Sequence, residues 1–200
     1  MVIEIIVYHY NMEISPYNRV CKNIDKSQQY VLSSISKYLN TPIYFYGSCI
    51  RDDFVKRASD VDSIIFTENI EKTKVLIEEK LKLMSNGITS YKVIKLLMDT
   101  YGNGHDITCE YLFRIHLTAH YNIDLIVCDV KYKNRRLMHD YYVSSMINNN
   151  PLFPILLYIT KILYYYGFMD YNSYMYVKRL TTKRYSKTIT VMEIKPSLKL

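Results

Sequence analysis

Apolar residues recur along this chain with two periods, and the boundaries between them predict its elements. From Ile24 to Leu39 the positions Val31, Leu32, Ile35 and Leu39 fall at helical spacing, and Thr41-Pro42 ends the helix because the residue before a proline is pushed out of the helical region. Ile43 to Tyr46 is a short apolar run closed by Gly47-Ser48, after which a polar turn of helix is predicted through Lys56. Val61 to Phe66 reads as a buried strand. Glu71 to Met84 predicts a second helix, with Val75, Leu76, Leu81 and Met84 inward and Glu78 paired with Lys82 one turn on. Thr89 to Met98 and Ile107 to Leu117 flank Gly102-Asn103-Gly104, a hairpin signal, and Tyr121 to Val130 follows as a further strand. Val2 to Tyr8 is also strand-like, and residues 134–147 and 153–167 read as helices, with Pro154 in the first turn of the second.

Strands and helices alternate and a hairpin intervenes, which predicts an α/β (α+β) fold with a small mixed β-sheet flanked by helices. The boundaries divide into a core over residues 1–130, a helical C-terminal part over 131–179 and a basic tail over 180–200. Within Leu152 to Met169, the residues Leu152, Ile155, Leu156, Ile159, Ile162, Leu163 and Tyr166 share one helix face and Lys161 lies opposite. A membrane-spanning helix has no reason to segregate in that way, so no membrane association is expected.

Charge changes this picture only at one end. The 200 residues carry a formal charge of +7. Lys178, Arg179, Lys183, Arg184, Lys187, Lys195 and Lys199 stand against Glu193 alone, so the body is nearly neutral. Such an end either neutralises phosphates, as in RNA binding, or is a solvated terminus. No basic, cleavable leader opens the chain, and Cys21, Cys49, Cys109 and Cys128 are scattered without a CxxC pair. Reduced thiols and a cytoplasmic location are expected. The 22 tyrosines accompany abundant lysine and asparagine and no tryptophan, a compositional bias that by itself says nothing about base stacking.

The chemistry concentrates in Tyr44 to Phe66. Asp60 and Asp62 stand at i and i+2 at the start of a strand, so both carboxylates project to one side. Carboxylates aimed at one point repel unless a cation lies between them, which points to Mg²⁺, a hard ion that shares oxygen ligands with substrate phosphates. Gly47 lets backbone approach a ligand closely, a helix starting after it turns N–H groups toward an anion, and Ser48 adds a hydroxyl. Asp124 is a third acid within an apolar strand, where a carboxylate is costly without a purpose, and Asp129 has the opposite strand parity.

Gly47-Ser48, the twelve-residue step to Asp60-x-Asp62 and the later strand Asp124 resemble the nucleotidyltransferase superfamily of DNA polymerase beta, poly(A) polymerases and CCA-adding enzymes. Gly47-Ser48-Cys49-Ile50-Arg51-Asp52 is similar to the Gly-Gly-x-Val-Arg-Asp opening of the bacterial-type CCA-adding and poly(A) polymerase group, with Ser48 in place of the second glycine. Asp140-Tyr-Tyr-Val-Ser-Ser-Met146 is distantly similar to that group's Asp-Phe-Thr-Ile-Asn-Ala-Leu motif, but Ser144 replaces the asparagine and Met138-His139 stand where two arginines are usual. The composition also resembles compact nucleotidyltransferases of large DNA viruses, which for a viral protein implies the host cytoplasm. The resemblance implies that Asp60, Asp62 and Asp124 hold two Mg²⁺ ions (or Mn²⁺) and carry catalysis. It also implies that Gly47, Ser48, Arg51 and Asp52 bind the NTP, ATP among the choices, and that a nucleoside monophosphate passes to a hydroxyl of an RNA 3′ end, a protein or a small molecule. The long helical body with which CCA-adding enzymes measure tRNA is missing, so tRNA maturation is not expected.

Other motifs carry less. His116 and His120 have the spacing of a zinc helix, but Leu117 replaces the glutamate a metalloprotease needs and the segment reads as strand or loop. The scattered glycines make neither a Walker loop nor a dinucleotide loop. The alternative to an enzyme is a catalytically inactive protein of the same fold that binds RNA or a protein partner.

Overall fold

The computed structural model describes residues 23–200 except 57, 85–86, 100–106, 118–120, 135, 138–146, 148, 183–186 and 195–200. The Val2–Tyr8 strand, the Gly102-Asn103-Gly104 turn, the Asp140–Met146 motif and most of the 134–147 helix therefore lie outside the described residues.

Helix α1 (Lys26–Leu39) starts at Asp25, whose carboxylate accepts from Ser27 N while the Gln28 side chain accepts from Asp25 N, a capping box. It ends at Asn40 in the left-handed region (φ 49°). Strand β1 (Ile43–Phe45) leads through a 3₁₀ turn (Gly47–Ile50) to β2 (Val61–Thr67) and helix α2 (Ile70–Leu83). Strands β3 (Ile88–Asp99) and β4 (Ile107–Leu117) form the expected hairpin, paired out to Asp99–Ile107. Strand β5 (Asn122–Asp129) follows, then helices α3 (Leu152–Tyr165) and α4 (Tyr171–Thr182) and strand β6 (Lys187–Ile194).

The six strands form one sheet in the order β1-β2-β5-β4-β3-β6. Strand β2 pairs parallel with β5 and every other neighbouring pair is antiparallel, so the sheet is mixed, as the alternation of elements predicted. One sheet face carries Val61, Ile65, Ile123, Leu125, Val127, Phe113 and Ile115, all buried against Val31, Leu32 and Ile35 of α1 and Ile77 and Leu81 of α2. The other face buries Tyr44, Tyr46, Ile64, Phe66, Ile126 and Cys128.

Three local expectations are corrected, and the orientation of one helix is decided. The helical turn after Gly47 is only the 3₁₀ turn Gly47–Ile50, because Arg51 is extended and its side chain turns to Asp53 two residues on. In α2 the buried stripe is Thr73, Ile77, Leu81 and Met84, and Val75 is exposed. Ile77 and Leu81 face the core in that rotation, the Thr67 and Thr73 hydroxyls lie 2.8 Å apart, and the ion pair formed is Lys74–Glu78 at 3.5 Å. The segregation expected of α3 is present, and the structure decides its sense: Lys161, Thr160 and Leu157 are buried, whereas Leu152, Ile155, Leu156, Ile159 and Tyr166 are exposed. Finally, the basic end does not run free throughout, since Lys187–Ile194 is hydrogen-bonded along β3 as the sheet's last strand. No helix among the described residues is long and apolar enough to cross a membrane.

Candidate active site

Strand pairing puts the acids side by side. Asp62 on β2 and Asp124 on β5 are register partners, as are Asp124 and Arg114 on β4. Residues at every second position share a sheet face, so Asp62, Asp124 and Arg114 form a row across three strands. The neighbouring row continues it: Asp60, just before β2, accepts a hydrogen bond from the Asn122 side chain, and Asn122 Oδ1 lies 2.9 Å from His116 Nδ1. Next on this face comes the apolar row Ile64–Ile126–Leu112, and beyond it Phe66 and Cys128, whose thiol donates to the buried Glu110 of β4 at 3.3 Å, with Arg136 3.8 Å from that carboxylate. Asp60, Asp62 and Asp124 thus sit where β2 and β5 begin, separated by an apolar row from the Glu110–Arg136 pair.

Gly47 closes this end. Its φ of +69° is a left-handed conformation that side chains resist, and a Cβ built there would overlap the Asp62 carboxylate, with Asp62 Cγ only 2.8 Å away. Tyr46 N–H donates to Asp62 O at 3.2 Å, which holds the turn against β2 from the other side. Ser48 is buried in the same 3₁₀ turn, and the Cys49 thiol beneath donates to Tyr46 O at 2.9 Å. Burial, and then the charge of Asp62, push the Cys49 thiol far above its ordinary range, so it is an inert packing group.

The acids crowd one another. Burial first, and then the charge of Asp124, raise the Asp60 carboxyl above the ordinary carboxylate range, against the opposing pull of Asn122, Arg114 and Lys178. Arg114 donates from Nε to Asp124 Oδ1 at 3.0 Å and from Nη2 to Oδ2 at 2.9 Å, and these bonds hold its guanidinium charged. Asp60, Asp62 and Asp124 offer only carboxylate oxygens, the donor set a hard divalent cation prefers, and like-charge crowding at Asp60 is what such a cation relieves. Among the described residues no three His, Cys, Asp or Glu side chains already stand gathered as a metal site.

The raised Asp60 value predicts a measurable penalty in metal-free protein. A carboxyl whose folded pKa exceeds its unfolded one adds nothing below the ordinary carboxylate range, where both states are protonated. It destabilises increasingly as pH rises toward the folded value, and fully above that. Asp60→Asn in chelator should therefore melt higher than wild type at pH 7 and equally at pH 3, as thermal unfolding would read. A variant less stable than wild type at pH 7 would remove the crowding.

Of the sequence candidates, the structure brings together Gly47, Ser48, Asp60, Asp62 and Asp124. Arg51 and Asp52 are placed differently. Arg51 is buried and donates from Nε and Nη2 to Asp53 at 2.7 and 3.1 Å, where a phosphate contact was expected, and Asp52 is exposed. Sequence reasoning missed four groups. Arg114 was legible as the polar member of an alternating strand, opposite in parity to Phe113 and Ile115. Tyr165, Tyr174 and Lys178, from α3 and α4, lie near enough to act electrostatically on or with the acids, and no local pattern announces them. Burial and then the Asp60 charge push the Tyr165 phenol up to about 12, and Tyr174 is raised by burial, Tyr165 and the acids beyond it.

No family model matches the chain, and no curated protein matches it. Among solved structures, the chain is similar to a cytoplasmic RNA terminal U-transferase at 16% identity and a TM-score of 0.44, over 81% of this chain and 50% of that one. The chain thus spans about half the length of that protein.

Proposed function

We propose that this protein is a Mg²⁺-dependent nucleotidyltransferase that moves a nucleoside monophosphate from an NTP to a hydroxyl acceptor. The observation that carries this reading is the register pairing of Asp62 with Asp124 on parallel strands, with Asp60 in the same electrostatic field and a bare glycine turn against Asp62. Asp60, Asp62 and Asp124 are the residues that would hold the cations. Cations held there would lower the pKa of the attacking hydroxyl and offset charge on the leaving pyrophosphate.

The chain's own groups do the rest. The Gly47–Ser48 turn has no side chain at its apex and presents backbone and a hydroxyl to the β- and γ-phosphates. The acceptor oxygen attacks the α-phosphorus, the bond from that phosphorus to the bridging oxygen breaks, and pyrophosphate leaves. Asp124, fixed by Arg114, would help activate the hydroxyl through the cation it shares. Tyr165, Tyr174 and Lys178, which interact electrostatically with the acids from the helices, would suit the nucleoside. The basic C-terminal residues favour an RNA 3′ end over a protein or a small molecule as acceptor.

A second reading, an inert protein of this fold that binds RNA or a protein, is favoured by one observation: Arg114 occupies both oxygens of Asp124. The two readings separate by titrating Mg²⁺ and each labelled NTP, with a mixed RNA pool, into wild type and Asp60→Ala/Asp62→Ala. Pyrophosphate release by wild type alone is expected. Absence of both release and NTP binding in wild type would leave the inert reading.

A further inference from the structure

Helix α3 is amphipathic with its apolar side outward. Leu152 is 69% exposed, Ile155 56%, Leu156 45% and Ile159 49%, and just beyond the helix Tyr166 is 74% and Phe168 80% exposed. Lys161, the one charged residue of Leu152–Tyr165, is only 3% exposed. It is held there by donating to Asp53 O and Oδ2, both at 2.8 Å. The helix is thus locked with its charged side in and its oily side out. Taking about 200 Å² for a fully exposed large side chain, these six residues leave roughly 700 Å² of apolar surface. That exceeds the largest patch of a typical monomer, about 300–600 Å², and approaches the roughly 800 Å² that each partner gives to a stable interface.

We propose that this stripe is the interface of a homodimer, in which α3 packs on α3 of a second copy. The spacing favours a helix as occupant: Leu152, Leu156, Ile159, Leu163 and Tyr166 are separated by alternating steps of four and three, the period at which side chains of paired helices interlock. Charge favours a second copy. The stripe contains no ionisable acid or base, so two copies meet without like-charge contact despite a formal charge of +7 on each chain, and a charged partner surface would gain nothing from it. A twofold axis matches the stripe to itself, so its area alone serves both sides. The proposal is independent of whether the acidic site is catalytic.

Sedimentation velocity on the full chain between about 1 and 100 μM is the test. Wild type is expected to sediment as a dimer, and Ile155→Glu/Ile159→Glu as a folded monomer, its dissociation constant raised roughly a hundredfold or more. Both positions are about half exposed in the single chain, so circular dichroism should be unchanged. Leu152→Ser, at the edge of the stripe, serves as a milder variant and should weaken the dimer in part. A wild-type monomer at 100 μM overturns the proposal, including one that instead floats with phosphatidylcholine vesicles. A dimer that persists undiminished in both variants overturns it too.

Discussion

Replacing Lys161 by methionine should lower the unfolding free energy by about 2 kcal/mol, the scale of losing a charged hydrogen bond and leaving a buried carbonyl without its partner. Asp53 is fully buried and accepts from two cations, Arg51 at 2.7 Å and Lys161 at 2.8 Å, while its carbonyl accepts from Lys161 as well. In the variant Arg51 still neutralises the carboxylate, so no net buried charge is left. The Asp53 carbonyl loses its partner, and α3 loses its tie to the loop that follows Gly47. Burial drives the Asp53 carboxyl upward, but Arg51 and Lys161 together outweigh it and hold the group below the ordinary carboxylate range. A depressed folded pKa contributes stability that is complete above the unfolded value and is lost as pH falls through the folded one. Wild type should therefore keep this contribution down to about pH 4 and lose it below, so that its advantage over Lys161→Met narrows as pH falls. Urea unfolding at pH 7 and along an acid series reads both effects. A change below about 1 kcal/mol at pH 7 would mean that the pair is replaceable by packing.

Gly47→Ala should reduce nucleotidyl transfer by about a hundredfold or more, with a smaller loss of stability of about 1–2 kcal/mol. Two separate effects meet at this position. The positive φ of +69° strains any side chain, and the new methyl would overlap the Asp62 carboxylate. The structure contains its own controls: Gly87 and Gly167 have φ of +100° and +78°, with nothing within 4 Å of a built Cβ. Gly87→Ala and Gly167→Ala should show only the backbone strain, roughly 1 kcal/mol, and leave transfer intact. Equal activities for all three alanine variants would mean that the approach of Gly47 to Asp62 has no role in the chemistry. Melting temperatures measured beside the activities separate the two contributions.

How much of this was legible in advance depends on the range of the interaction. Helices α1 and α2, the hairpin and strands β2 and β5 follow from periods of 3.6 and 2, because backbone geometry places local side chains on faces whatever surrounds them. For the same reason Asp60 and Asp62 were readable as a pair on one side of a strand, and Gly47 as a bare turn before them. The same geometry revealed that α3 has two unlike faces. It could not reveal which face turns inward, because that is set by the salt bridge between Lys161 and Asp53, 108 residues apart.

The remaining features are also long-range. Asp62 meets Asp124 because β2 and β5, about sixty residues apart in the chain, pair in parallel with those two positions in register. Arg114 joins them only when β4 pairs with β5, and Tyr165, Tyr174 and Lys178 arrive with helices more than a hundred residues beyond Asp60. Lys187–Ile194 reads as a basic end until β3 offers it an unpaired edge of backbone hydrogen-bonding groups. Periodicity is a property of one segment, whereas pairing partners, buried faces and the final composition of the site come from competition among segments for the same surfaces.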